Sequence, residues 1–194
     1  AAGKPVRKAD RQEKSARGVK IIPSAKRQMI GILRNSDTAR IRFRYRSGSL
    51  DLSVNADVFR RVAALLESGY LNVVENRFPD NRMTYSAAAN TFYLGRHNRS
   101  SRDFDALVVH ESVHAYMDIA RISIPWVDNE AIAYIAQGFY LKNSGYPSSR
   151  MEYGEPYRVG YLIAETIMIG DLRSNLLSDQ RYTHYIRSTF RGDG

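Results

Sequence analysis

His110 and His114 stand four residues apart, with Glu111 beside the first, and they can act together only if the stretch between them is helical. Residues four apart on an α-helix lie nearly above one another, about 6 Å along the axis, so two imidazoles converge on one point. That commits residues 100–120 to a helix with an open front and a packed back. Leu107, His110, Glu111 and His114 share one side, while Phe104, Val108, Ala115 and Ile119 form an adjacent apolar stripe. Ser100 followed by Asp103 resembles a capping box, and the helix is expected to run to about Ala120.

His110-Glu111-Ser112-Val113-His114 spells H-E-x-x-H, a pattern in which two histidines hold a metal ion and the glutamate handles the proton of a water beside it. The chain contains no Cys, so any metal must be held by His, Asp or Glu. Catalytic zinc sites use three protein ligands and leave a fourth position open. No His follows His114 until His184, which turns attention to carboxylates. Glu130 stands out, in the first turn of a helix expected over Asn129–Leu141 with Asp128 as its N-cap. Ile122 to Val127 would bring the two helices face to face. Asp118, one turn beyond His114, is a candidate outer partner. One Zn2+ is the expected ion, because two imidazoles and a carboxylate with an open position suit it.

A length of 194 residues with 43% hydrophobic and 25% charged side chains fits one globular domain. No apolar run approaches the roughly 18 residues a membrane helix needs. The net charge of +9 is unevenly spread: residues 1–20 hold seven Lys and Arg against two acids, +5 of the total. We therefore expect a basic flexible tail over 1–20 and one domain over 21–194, with a sheet-containing lobe to 120 and a helical lobe from 121. The start at Ala1 without Met, with the basic tail, leads us to expect a secreted or periplasmic protein, or a domain of a larger exported one, ahead of a cytoplasmic protein.

Along the domain, Val19–Ile22 reads as a strand stopped by Pro23, and Ser24 as the cap of a helix reaching Leu33. Asn35-Ser36-Asp37 reads as a turn. Residues 40–46 alternate strictly, with Ile41, Phe43 and Tyr45 on one face of a strand and four arginines on the other. We read that arginine face as a solvated sheet surface, since the aromatics point away from it, so nucleic acid is not the expected partner. Leu50–Val54 returns as a strand. Asn55 or Ser53 caps a helix over Ala56–Ser68 that Gly69 stops. Leu71–Val74 is a strand, Phe78–Asn81 a loop, and Met83–Ser86 with Thr91–Leu94 a hairpin. Pro156 opens a helix to Ile169, and Ser178 caps a last one over Asp179–Phe190.

Taken with Asn129-Glu130-Ala131-Ile132-Ala133, the H-E-x-x-H stretch resembles the gluzincin branch of zinc metallopeptidases, over residues of about 83 to 142. The resemblance implies an α+β, zincin-like fold: an N-terminal mixed lobe with a small antiparallel sheet and the active-site helix, then a helical lobe. It implies His110, His114 and Glu130 as zinc ligands, Glu111 as general base, and a peptide or protein as substrate. It also implies an edge strand for that substrate, for which Thr91–Leu94 is the match. The metzincin pattern fails, because 117 is Met and 120 is Ala where Gly and His are required. No motif fixes the group that steadies the oxyanion; Tyr157, Tyr161 and His184 are candidates. Glu165, alone among apolar neighbours, is a candidate orienting acceptor for a ligand histidine, and His97 reads as an ordinary surface or core histidine. The competing reading is a basic protein binding nucleic acid or an anionic surface through residues 40–46 and the tail, with an inactive zincin-like site. A toxin or effector domain with peptidase activity would join the two.

Overall fold

The computed structural model describes residues 20–21, 23–75, 82–96, 99–151 and 156–169. The tail up to residue 19, the loop at 78–81, His97, His184 and the last expected helix lie outside the described residues, as does the side chain of Tyr157.

The fold is α+β. Lys20–Ile21 form β1, Pro23–Arg34 form α1, and Ser36–Ala39 form the single turn α2. Phe43–Ser47 (β2) and Leu50–Val54 (β3) follow, then Ala56–Ser68 (α3), Asn72–Glu75 (β4), Met83–Ser86 (β5) and Thr91–Leu94 (β6). Three long helices complete it: Arg102–Ile119 (α4), Trp126–Asn143 (α5) and Pro156–Ile169 (α6). Among the described residues, no helix is long and apolar enough to cross a membrane.

Several boundaries differ from the sequence expectation. Pro23 belongs to α1 rather than ending β1, which suits a residue whose missing N–H costs nothing in a first helical turn. Ser24 is therefore inside the helix and not its cap. The expected turn at 35–37 winds into α2, because the Asn35 side chain accepts from the Thr38 N–H at 2.9 Å. α3 matches closely: Asn55 caps it by accepting from the Asp57 N–H, and Gly69 ends it at φ 80°, where a side chain would be strained.

The strands form two sheets, not one small antiparallel sheet. β2 and β3 make a separate antiparallel ribbon, while the larger sheet has the order β1-β4-β6-β5. It is mixed: β4 runs parallel to β6, with Asn72 opposite Thr91, and β5 pairs antiparallel with β6. Thr91–Leu94 is therefore interior, and Met83–Ser86 is the edge strand. Local alternation locates a strand but does not say which neighbour it takes.

One hydrophobic cluster joins everything from Met29 on α1 to Ile167 on α6, so the two expected lobes share a core. Phe43 of the ribbon stacks on Phe139 of α5 with centroids 5.4 Å apart. On the ribbon's outer face Arg44 and Arg46 both pair with Asp51, the first through two bonds of 2.5 and 2.6 Å.

α5 and α6 cross with backbone on backbone. A Cβ at Gly138 would lie 2.5 Å from the Gly160 carbonyl carbon, and one at Gly160 only 2.2 Å from the Tyr134 carbonyl oxygen. No flexible side chain is present to yield. Gly160→Ala is expected to destabilise the protein by about 3 kcal/mol or more, the upper end for overpacking, read as a lower urea midpoint at unchanged slope.

Candidate metal centre

α4 begins with Ser101, whose hydroxyl accepts from the Phe104 N–H at 3.1 Å. The cap is thus Ser101 and not Ser100, and the expected capping box with Asp103 does not form, because the residue three after Ser101 is Phe104. Phe104, Val108, Val109, Val113 and Ala115 are buried, fixing the helix from behind. Its front carries His110, Glu111 and His114.

α5 starts at Trp126, directly after the extended Pro125, three residues earlier than its composition suggested. Asp128 is consequently not a cap. It lies in the first turn, 2% exposed, and accepts a 2.6 Å hydrogen bond from Tyr45 of β2. That buried bond ties the ribbon to the N-terminal turn of α5. Glu130, Tyr134 and Gln137 then recur at helical spacing and face α4.

The expected ligands converge. The two Nε2 atoms of His110 and His114 are 3.2 Å apart. Glu130 places Oε1 3.2 Å from the His114 Nε2 and Oε2 3.5 Å from the His110 Nε2. In a tetrahedron with arms of 2.0–2.1 Å, the ligand atoms are separated by about 3.3 Å. The separation of the two nitrogens and that of Oε1 from His114 are close to this edge length, and the carboxylate sets its other oxygen against His110, so these residues could hold a zinc ion. The Glu111 carboxylate also falls within 4.8 Å of both histidines, but the Tyr85 N–H of β5 holds its Oε2 at 2.9 Å.

Both imidazoles are clamped from behind. His110 Nδ1 meets Gln137 Oε1 at 3.0 Å, and His114 Nδ1 meets Asn129 Oδ1 at 3.0 Å. An amide oxygen accepts, so each Nδ1 carries a hydrogen, and each Nε2 faces Glu130 at the convergence point, as a donor to its carboxylate when protonated and as a lone pair for a metal when not. Two imidazole nitrogens and a carboxylate brought to one spot suit a cation. Tyr134 packs edge-on against His110, 4.4 Å between centroids.

Electrostatics follow from burial and neighbours. Burial pushes the Glu111 carboxyl above its ordinary range, against the opposing pull of His110 and His114 and the Tyr85 N–H. Burial also opposes charge on Glu130, but hydrogen bonds from both histidines outweigh it and bring its pKa down to about 2. Burial works against charge on His114 as well, yet the Glu130 hydrogen bond lifts it above the ordinary histidine value.

The remaining candidates are elsewhere engaged. Glu165 takes the Lys142 ammonium at 2.8 Å and touches no ligand histidine. The Tyr161 hydroxyl donates to the Tyr146 carbonyl at 3.1 Å, with Lys142 over its ring. Asp118 accepts from the Tyr85 hydroxyl at 2.7 Å and so braces β5 to α4 rather than orienting a histidine. Asn129 and Gln137 do that orienting, and sequence reasoning missed both. Their signal was the placement of two amides in a largely apolar helix, at −1 and +7 from Glu130.

The centre lies in a cleft of about 680 Å³ between β5 on one side and α5 on the other. A larger hollow of about 890 Å³ sits away from it, among Arg42, Phe43, Phe139 and Ile167. Three of the cations around that hollow, Arg40, Arg44 and Lys142, are paired with Asp37, Asp51 and Glu165. Among the described residues, the cluster of potential metal ligands lines the smaller cleft and not this hollow. Comparison with protein-family models, curated proteins and solved structures finds no match to this chain.

If Gln137 and Asn129 orient the ligands, Gln137→Ala and Asn129→Ala should each weaken zinc about 10–100-fold. Competition with a chromophoric chelator measures it.

Proposed function

We propose that this chain is a zinc-dependent metallopeptidase of gluzincin type with a zincin-like fold. The observation that carries the reading is the convergence of His110 Nε2, His114 Nε2 and the Glu130 carboxylate, one oxygen against each imidazole, at 3.2–3.5 Å, close to the donor separations around a tetrahedral zinc. His110, His114 and Glu130 would hold one Zn2+. When bound, the ion acts as a Lewis acid, polarising a peptide carbonyl and acidifying water.

Glu111 is the general base. Its carboxylate stands beside the ligand set without being the closest to it, and the Tyr85 N–H fixes its orientation. A carboxyl raised by burial is better matched to exchanging protons near neutrality than an exposed one. Glu111 takes the proton from the attacking water and returns it to the leaving amine.

The edge strand supports an extended peptide as substrate. In an antiparallel pair, alternate residues turn both backbone groups outward. The Tyr85 N–H points to Glu111 and the Arg82 carbonyl bonds inward to the Gly95 N–H, so Met83 and Tyr85 are the outward residues. The free groups of Met83 and the Tyr85 carbonyl face the cleft, ready for strand addition. A protein or peptide is the partner this implies, in the setting of an exported protein or effector domain.

The reading is tested by elemental analysis and by cleavage of unfolded casein with and without chelator. One zinc per chain and chelator-sensitive cleavage are expected; metal-free protein that cuts equally well would overturn it. Binding should also depend on pH. Protonated imidazole cannot ligate, and His114 is lifted above 6.5, so zinc affinity is full above that raised value and falls as pH drops through it. Chelator competition between pH 5 and 8 reads this slope, with loss on the acid side.

A further inference from the structure

We propose that the cleft selects peptides carrying a lysine or arginine close to the scissile bond, through Asp118 and Trp126; the proposal rests on the metallopeptidase reading. Both residues line the cleft that holds His114 and Glu130, together with Ile122 and Met117. Asp118 is exposed, and its bond is to the neutral Tyr85 hydroxyl. Among the described residues no cation pairs with it. A carboxylate bonded to a neutral hydroxyl, in the lining of a cleft whose one cationic member, Arg82, makes no ion pair with it, is an acceptor for a positive group.

Trp126 supplies what a bare carboxylate lacks. It is 46% exposed at the start of α5, a large indole left open to solvent in the lining of the same cleft. A long basic side chain can lay its methylenes on the indole and Ile122 while its charged head meets the ring face and Asp118. Neutral apolar side chains gain the first contact and not the second. Acidic ones are repelled.

The spacing fixes how near the bond this happens. Asp118 is one turn from His114 on α4, about 6 Å along the axis. An extended peptide advances about 3.3 Å per residue, so the basic side chain falls one or two residues from the carbonyl attacked.

Trp126 is the single tryptophan of the chain, so its fluorescence reports on the cleft without reliance on turnover. The experiment titrates short peptides of otherwise uncharged residues, each with Lys, Leu or Glu at one position, into zinc-loaded Glu111→Gln protein. The Lys peptides are expected to bind about fivefold to tenfold tighter than the Leu peptides. That ratio should collapse when Asp118→Asn is added, and invert in favour of Glu with Asp118→Lys. Asn still accepts the Tyr85 bond, which keeps the wall in place. Equal affinities, or a lysine preference that survives Asp118→Asn, would overturn the proposal. The same peptides given to the unmodified protein should be cut within two residues of the Lys. Lysine-selective binding with no cleavage would instead overturn the hydrolytic reading and leave a binding subsite for basic side chains.

Discussion

Glu111→Gln should keep one zinc per chain and lose about 10²–10⁴-fold in kcat, the usual contribution of a general base. Gln is nearly isosteric, and its amide oxygen can still accept from the Tyr85 N–H that holds the carboxylate at 2.9 Å. What it cannot do is take a proton. The variant also separates loss of chemistry from loss of fold. Burial raises the Glu111 pKa, so in the metal-free protein the folded state resists its ionisation. A raised carboxyl penalises the folded state above its folded pKa, and the penalty vanishes below the ordinary value of about 4.5. Replacing it with a neutral amide removes that penalty, so the metal-free variant should melt no lower than its parent at pH 7 and higher if anything. Cleavage by Glu111→Gln at the parental rate, measured on casein, would rule out Glu111 as the base.

Glu130→Ala should cut zinc affinity by about 10²–10³-fold, on the basis that structural zinc sites are worth 10–16 kcal/mol over four ligands. Among the described residues this carboxylate alone pairs with both Nε2 atoms within 3.5 Å, so its removal leaves them without a counter-charge. Elemental analysis after dialysis against a weak chelator reads the outcome directly. Retained zinc would mean that Glu111, the other nearby carboxylate, serves as ligand. Glu130→Gln is a useful companion: it keeps the volume and a weak oxygen donor but removes the charge, and should fall between the two.

How much of this was written locally in the chain differs by kind of residue. His110, Glu111 and His114 are four-residue helical neighbours, so spacing alone brings them together. Glu130 was legible because Cys is absent and few carboxylates stand near. Asn129 and Gln137 were not, since an amide on a helix has no preferred register and its worth appears only when another helix faces it. Asp128 looked like a cap because Asp is a good one; Tyr45, 83 positions away, makes it a buried acceptor instead. Glu165 looked stranded among apolar neighbours, yet Lys142 on α5 reaches it. The edge strand was misassigned for a similar reason: the parallel pairing of β4 with β6 is a long-range choice that moves Met83–Ser86 to the outside.

The glycine crossing of α5 and α6 turns α5 into a lever. Main chain rests on main chain at Gly138 and again at Tyr134, under Gly160, and from this nearer support Glu130 lies four residues along the arm, about 6 Å away. A rotation of about 6° there displaces Glu130 by about 0.6 Å, already beyond the roughly 0.5 Å that a functional site tolerates. Asp128, gripped by Tyr45, pins the far end of the arm. At the proposed zinc site, affinity would depend on joints that never touch the metal, and substitutions on α6, which contributes no residue to the lining of the cleft, would detune it without altering a single ligand.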